Sequence, residues 1–209
     1  MTNVAFQRSP AKALRGQTTK RLILEEAMKI ASVHGIEGIT IGELAKKVGM
    51  SKSGLFAHFE NKDNLQLEIL KMATDHFVEV VLKPSFKEPQ GLARIEAIVD
   101  NWIKFLNDTA TLPGGSIFIS ASFELDDRPG VLKDFVQKSQ NDLILNIEKA
   151  VQIAIDCKHL KSNTDKNDFA WKLYSYVLGY HHFQRMLHNP KAEEFLRNAV
   201  RELINKNRI

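Results

Sequence analysis

Apolar residues recur every three or four positions along nearly the whole chain, in stretches broken by short polar, proline or glycine segments. Ile23, Ala27, Ile30 and Ala31 share one face of a first helix over 18–34, which Gly35 ends. Ile41, Leu44, Ala45 and Val48 make the stripe of a second helix. Thr40 and Glu43 fit a capping box at its start, and Gly49 supplies the left-handed stop. Ser51 caps a third, short helix with Leu55, Phe56 and Phe59, and Asn61 caps a fourth that the period carries from Lys62 to Lys83. Pro84, Pro89 and Gly91 mark a boundary after it.

From Gly91 onward the pattern predicts helix after helix. Leu92, Ile95, Val99, Trp102 and Leu106 keep the period to Asn107, and Pro113-Gly114-Gly115 turns the chain. Residues 116–125 would suit a strand by composition, but no partner strand is in reach, so a short buried helix is expected. Asp126 to Gly130 reads as a helix start, with acids near the free amides, and the helix carries Phe135, Ile144, Ile147, Val151 and Ile155 to near Cys157. An aromatic-rich helix over 165–187 and a last helix opened by Pro190 complete an all-α chain.

The third helix is too short and too polar to be a core element. Its outward positions, Lys52, Ser53, Ala57 and His58, are small, hydrogen-bonding or cationic. Such a helix held against a buried one is the helix-turn-helix, which offers its second helix to the DNA major groove. Charge placement agrees. The net charge is +4; residues 1–63 hold ten Lys/Arg against six Asp/Glu, while 64–209 hold nineteen of each. The excess therefore sits on one segment, as in a nucleic-acid-binding head joined to a neutral partner. Residues 1–17, with Arg8, Lys12 and Arg15, read as a basic arm. The expected organisation is a head over 1–63 and a helical effector-binding and dimerisation part over 64–209, with 62–83 connecting them.

An apolar fraction of 44% is ample for a core, and no apolar run approaches the ~20 residues a membrane span needs. The single cysteine, Cys157, forms no internal disulfide, and the N-terminus lacks a secretory pattern, so a cytoplasmic location is expected. No nucleophile–base pair or metal-ligand set stands out, so neither catalysis nor a metal or cofactor is expected. Cys157 and His159 are two apart and do not face each other on a helix. Of His181, His182 and His188 only the first and last share a face.

The head resembles the TetR family of bacterial transcriptional regulators. The resemblance is carried by Ile23, Leu24, Ala27, Gly35, Thr40, Leu44, Ala45, Gly49, Ser51, Leu55, Phe56, His58, Phe59 and Lys62. It implies a homodimer, a palindromic double-stranded operator and a small-molecule effector, hence a ligand-responsive regulator, most simply a repressor. It also implies DNA contacts at Thr40, Ser51, Lys52, Ser53, Gly54, Phe56, Ala57, His58 and Lys62. Phe56 stands where the family commonly carries Tyr and cannot donate to a phosphate. Gly42 has no side chain where some members place a base reader, which shifts reading to Lys52 with Ser51 or Ser53. A different class, a helical binding protein or enzyme with an incidental basic head, lacks any such motif. For the effector, the expected lining is Trp102, Phe105, Phe118 and Tyr176 with His182 as a polar anchor, which suits an apolar or aromatic molecule. The dimer is expected on the last two helices, through Tyr176, Gly179, Phe183, Leu196, Val200 and Leu203.

Overall fold

A computed structural model describes residues 10–209, with side chains from residue 16 onward. The regular structure of these residues is helical, and Leu160 and Arg208 form an isolated bridge. Helix α1 (Pro10–His34) starts earlier than its apolar period suggests, because proline is well suited to a first helical turn. Part of the segment expected as an arm is therefore helix, and the side chains of Arg8, Lys12 and Arg15 lie outside the described residues. Helices α2 (Ile41–Lys47) and α3 (Lys52–Phe59) follow, capped by Thr40 and Ser51. Half of the expected capping box forms: Thr40 Oγ1 accepts from Glu43 N at 3.2 Å, while the Glu43 carboxylate stands 4.0 Å from His34.

Helix α4 (Lys62–Phe77) begins on the Asn61 cap. It does not stop before Pro84. A π-helical turn, Val78–Leu82, carries the chain into α5 (Lys83–Lys87). In an unbroken α-helix Pro84 would lose its bond to Val80 and press on that carbonyl. The wider turn shifts the pattern, with Lys83 N donating to Val78 O, and Pro84 falls in the first turn of α5. Ser85, fully buried, donates to Val81 O at 2.6 Å and accepts from Asn101 at 3.0 Å, which fixes the turn to the next helix.

Helices α6 (Leu92–Asn107), α7 (Ile117–Glu124), α8 (Val131–Asp156), α9 (Lys166–Arg185) and α10 (Ala192–Asn207) build the rest. The ambiguous 116–125 segment is helical, with Ser116 Oγ as its cap. Asp126 and Asp127 do not cap α8, contrary to expectation. Gly130, at φ 148°, stands at that position without a side chain, and Asp134 is the acid of the first turn. Helix α9 packs along both α8 and α10. One apolar cluster runs from Ile23, Ala27 and Leu44 through Leu65 and Trp102 to Leu196 and Ile204, so head and body share a core. Among the described residues no helix is long and apolar enough to cross a membrane.

Two close approaches join α1 to the body. A side chain at Gly114 would meet the Ser32 carbonyl at 1.6 Å, so only hydrogen fits, and Gly114 N donates to Ser32 Oγ at 3.0 Å. The neighbouring Gly115, at φ 88°, lies against His181 of α9. Burial, with Arg185 and His182 adding to it, pushes the His181 imidazole down to about 4, and its Nε2 finds no hydrogen-bond partner among the described residues. The unfolded chain takes up this proton near 6.5 while the native one resists it until about 4. The neutral ring's contribution is therefore fully present above about pH 6.5 and lost as pH falls toward 4, on the order of 1–2 kcal/mol after solvent screening. Urea unfolding of His181→Gln should accordingly fall off less steeply than wild type between pH 6.5 and 4; parallel slopes would remove His181 from the account.

Candidate functional site

The exposed end of α3 gathers short polar side chains because a cap needs them there. Ser51 Oγ accepts from Gly54 N at 3.1 Å and lies 3.1 Å from Ser53 Oγ. Leu55 and Phe59 are buried beneath, which fixes the roll of the helix and turns Lys52, Ser53, Phe56 and Ala57 outward. Gly54 and His58 are half-buried. Thr40, capping α2, is exposed beside this surface. Gly42 takes on a use that its lack of a side chain hid: the Lys52 stem runs over it, and a Cβ there would meet Lys52 Cε at 3.2 Å. Lys62 is less free than expected. Its Nζ donates to Glu37 O at 2.8 Å and is half-buried, leaving two of its three hydrogens for a phosphate.

A concavity of about 240 Å³ lies in the body between α4 with its π-helical turn, α6, α7, α8 and α9. The structure brings Trp102, Phe105 and Phe118 together on its wall. Phe77 stacks edge-on against both Trp102 and Phe105, with ring centroids 5.3 Å apart in each pair. Tyr174 closes the far side, 6.1 Å from Trp102, and burial holds its phenol above the usual range, so it stays protonated at neutral pH. Polar atoms are few: Thr74, Ser116, Ser139, Gln140, Asn146 and Asp142, of which Asp142 is exposed and paired with Lys138 at 2.7 Å. Neutral apolar surface with scattered hydroxyls and amides suits an uncharged, mostly apolar guest.

Tyr176 and His182 are not on this wall. Tyr176 lines a groove between α9 and α10, and His182 is exposed. Each residue turns a helix by about 100°, so Tyr174 and Tyr176 fall on opposite flanks of the buried Phe169, Leu173, Val177 and Tyr180 stripe. The lining residues that sequence reasoning missed include Tyr174, Thr74 and Phe77 of α4, Val78 and Leu82 of the π-helical turn, and the α8 residues Ser139, Gln140, Leu143 and Asn146. The period around α9 marks both flanks but not which one meets α10. The expected outer face changes likewise. Leu196, Val200 and Leu203 are buried within the subunit, while Phe183, Met186, Leu187 and Phe195 are 43–71% exposed.

Known proteins agree with this layout. Residues 23–69 match the family described as "Bacterial regulatory proteins, tetR family", and residues 91–200 match "Tetracyclin repressor-like, C-terminal domain". The transcriptional regulator AcrR of Shigella flexneri is 26% identical over 168 residues, spanning 78% of this chain and 76% of AcrR. The crystal structure of a TetR transcriptional regulator from Chloroflexus aurantiacus superposes with a TM-score of 0.82 at 21% identity, over 92% of this chain and 95% of that one. That of AibR in complex with isovaleryl coenzyme A and operator DNA does so with 0.72 at 22% identity, over 89% and 98%. With a matched head, a matched body covering more than half of the chain, and a capped, outward-facing third helix, the chain belongs to the TetR family of transcriptional regulators.

Proposed function

We propose that the protein is a repressor that binds a palindromic operator as a homodimer and releases it when a small apolar or aromatic molecule enters the body. One observation carries the reading. The cavity touches α4 through Thr74 and Phe77, at the end remote from Lys62, and the π-helical turn after it through Val78 and Leu82. One rod, about 22 Å from Lys62 to Phe77, therefore has the DNA-reading helix at one end and the cavity at the other. The π-helical turn follows at the cavity end, where Ser85 bonds both to it and to Asn101 of α6. A guest that fits better in one tilt of α4 biases the head by its differential affinity, and about 1–3 kcal/mol of such coupling alters operator affinity about 5- to 150-fold. That AibR, of the same fold, is seen with both an acyl-coenzyme A and operator DNA supports this arrangement. The test is operator affinity with and without a compound chosen from a panel of neutral aromatics by thermal shift. Ser139→Phe, which fills the cavity from one wall, should keep operator binding and lose the response. Unchanged release by that variant would move the effector elsewhere.

On the DNA side, Lys52 with Ser51 or Ser53 reads bases. Thr40, Gly54, Phe56, Ala57, His58 and Lys62 hold the backbone or shape the fit. Lys52→Ala should cost about 1–3 kcal/mol per half-site on the preferred operator and relax its base preference. Lys62→Ala should weaken all duplexes alike and also lower stability by about 1 kcal/mol, because the bond to Glu37 O goes with it. Equal losses from both variants on random and operator DNA would refute the division.

The dimer forms through α9 and α10, where Phe183, Met186, Leu187 and Phe195 leave an apolar face beside the Tyr176–Gly179 groove. A partner covering it should bury on the order of 2,000 Å² in total. Sedimentation at micromolar concentration should give a dimer for wild type and a monomer for Phe195→Glu. A monomeric wild type would end the dimeric reading.

A further inference from the structure

The turn between α1 and α2 is tied to the body by more than α4. Its two central peptide groups, Ile36 and Glu37, have all four of their hydrogen-bonding functions engaged by side chains from other helices. Ile36 N and Glu37 N donate to the two oxygens of Glu124, each at 2.9 Å. Ile36 O accepts from Gln66 Nε2 at 2.8 Å, and Glu37 O accepts from Lys62 Nζ at 2.8 Å. Gln66 is 1% exposed, a buried amide whose placement is justified by this contact. Gly35, at φ 79°, leaves room for the carboxylate, since a Cβ there would meet both Glu124 oxygens at 2.8 Å.

Glu124 is the last residue of α7, and α7 is the helix that carries Phe118 and Ile119 into the cavity wall. The other end of α7 is also fixed to α1, through Gly114 and Ser32. Lys62 and Gln66, on the far side of the turn, begin α4 directly after the recognition helix. A continuous set of contacts therefore runs from the cavity wall along α7 to Glu124, across the 36–37 peptides and into the α3–α4 corner. It is separate from the path along the length of α4.

We propose that Glu124 is a positioning residue that clamps the 36–37 turn and so sets the orientation of the DNA-binding head on the body. The two carboxylate oxygens match two adjacent amides, a geometry that resists both rotation and sliding of the turn. The proposal rests on the dimeric, operator-binding reading for its DNA consequence, and on the subunit alone for the clamp.

The test uses full-length wild type, Glu124→Ala and Glu124→Gln. Amide hydrogen exchange is followed at residues 36 and 37, with the capped amides of Gly54 and Asn64 as internal references. DNA affinity is measured on a palindromic duplex that wild type selects from a random pool, and on its isolated half-site. In Glu124→Ala, exchange at 36 and 37 should rise about tenfold or more while the references stay unchanged. Palindrome affinity should fall about tenfold or more and half-site affinity by less than about twofold, because two heads must hold one spacing but one head need not. Glu124→Gln, with one accepting oxygen, should lie between. Unaltered exchange at 36 and 37 overturns the clamp. Equal losses on palindrome and half-site overturn the positioning role, since they mean a damaged head rather than a misplaced one. A wild type that selects no palindrome fails the dimeric reading, and the exchange result then decides the clamp by itself.

Discussion

Two adjacent peptide groups, at Ile36 and Glu37, lie where the C-terminal end of α1, the start of α4 and the end of α7 converge. Ile36 and Gln66 are buried there, while Glu37, Lys62 and Glu124 are half-buried. A backbone amide or carbonyl left without a partner in such a place costs about 1–3 kcal/mol. The side chains of Glu124, Gln66 and Lys62 meet all four functions, and each comes from a helix that must stay where it is to do so. The seating of the head follows from this requirement, and apolar packing of Leu44, Leu55 and Phe59 against α1 and α4 then fills the space around it. Lys20 adds an ion pair to Glu68 at 2.9 Å across α1 and α4, partly exposed and correspondingly weak.

The body solves a different problem. Its cavity is walled in part by interlocked aromatic rings and in part by an irregular helical turn. The Phe77, Trp102 and Phe105 cluster supplies the first part, with edge-to-face rings interlocking α4 and α6. The π-helical turn supplies the other part, contributing Val78 and Leu82 to the lining. Pro84 is what makes the irregularity permanent: the sequence cannot revert to a straight α-helix through that point.

Much of the head is legible in the sequence because its signals are local. Thr40, Ser51 and Asn61 each cap an amide three residues on, and Gly49 takes the positive φ that its position demands. The helical period likewise marks the body helices, and the all-helical expectation holds. What escapes is what depends on long-range packing. Glu124 sits 88 residues from Ile36, and nothing in its neighbourhood distinguishes it from a surface carboxylate. Pro84 reads as a stop when only the α-helical pattern is considered. Tyr174 and Tyr176 flank the same stripe, and the choice between them rests on where α10 lies. Leu196, Val200 and Leu203 are apolar at the right period for an interface, yet the same period serves equally well to pack α10 onto its own subunit.

The contact between Gly114 and Ser32 bears on how the molecule comes apart. Two backbones that touch with only a hydrogen between them cannot separate gradually, and the loop that carries Gly114 leads straight into α7. With the core continuous from Ile23 to Ile204, opening the head would expose apolar surface on both sides at once. Unfolding should therefore be a single cooperative event, with no separate folding unit ending at residue 63. A head cut away at that position would leave the 36–37 amides and Leu65's partners facing water. The DNA-reading segment is thus dependent for its stability on the part of the chain that would sense the effector.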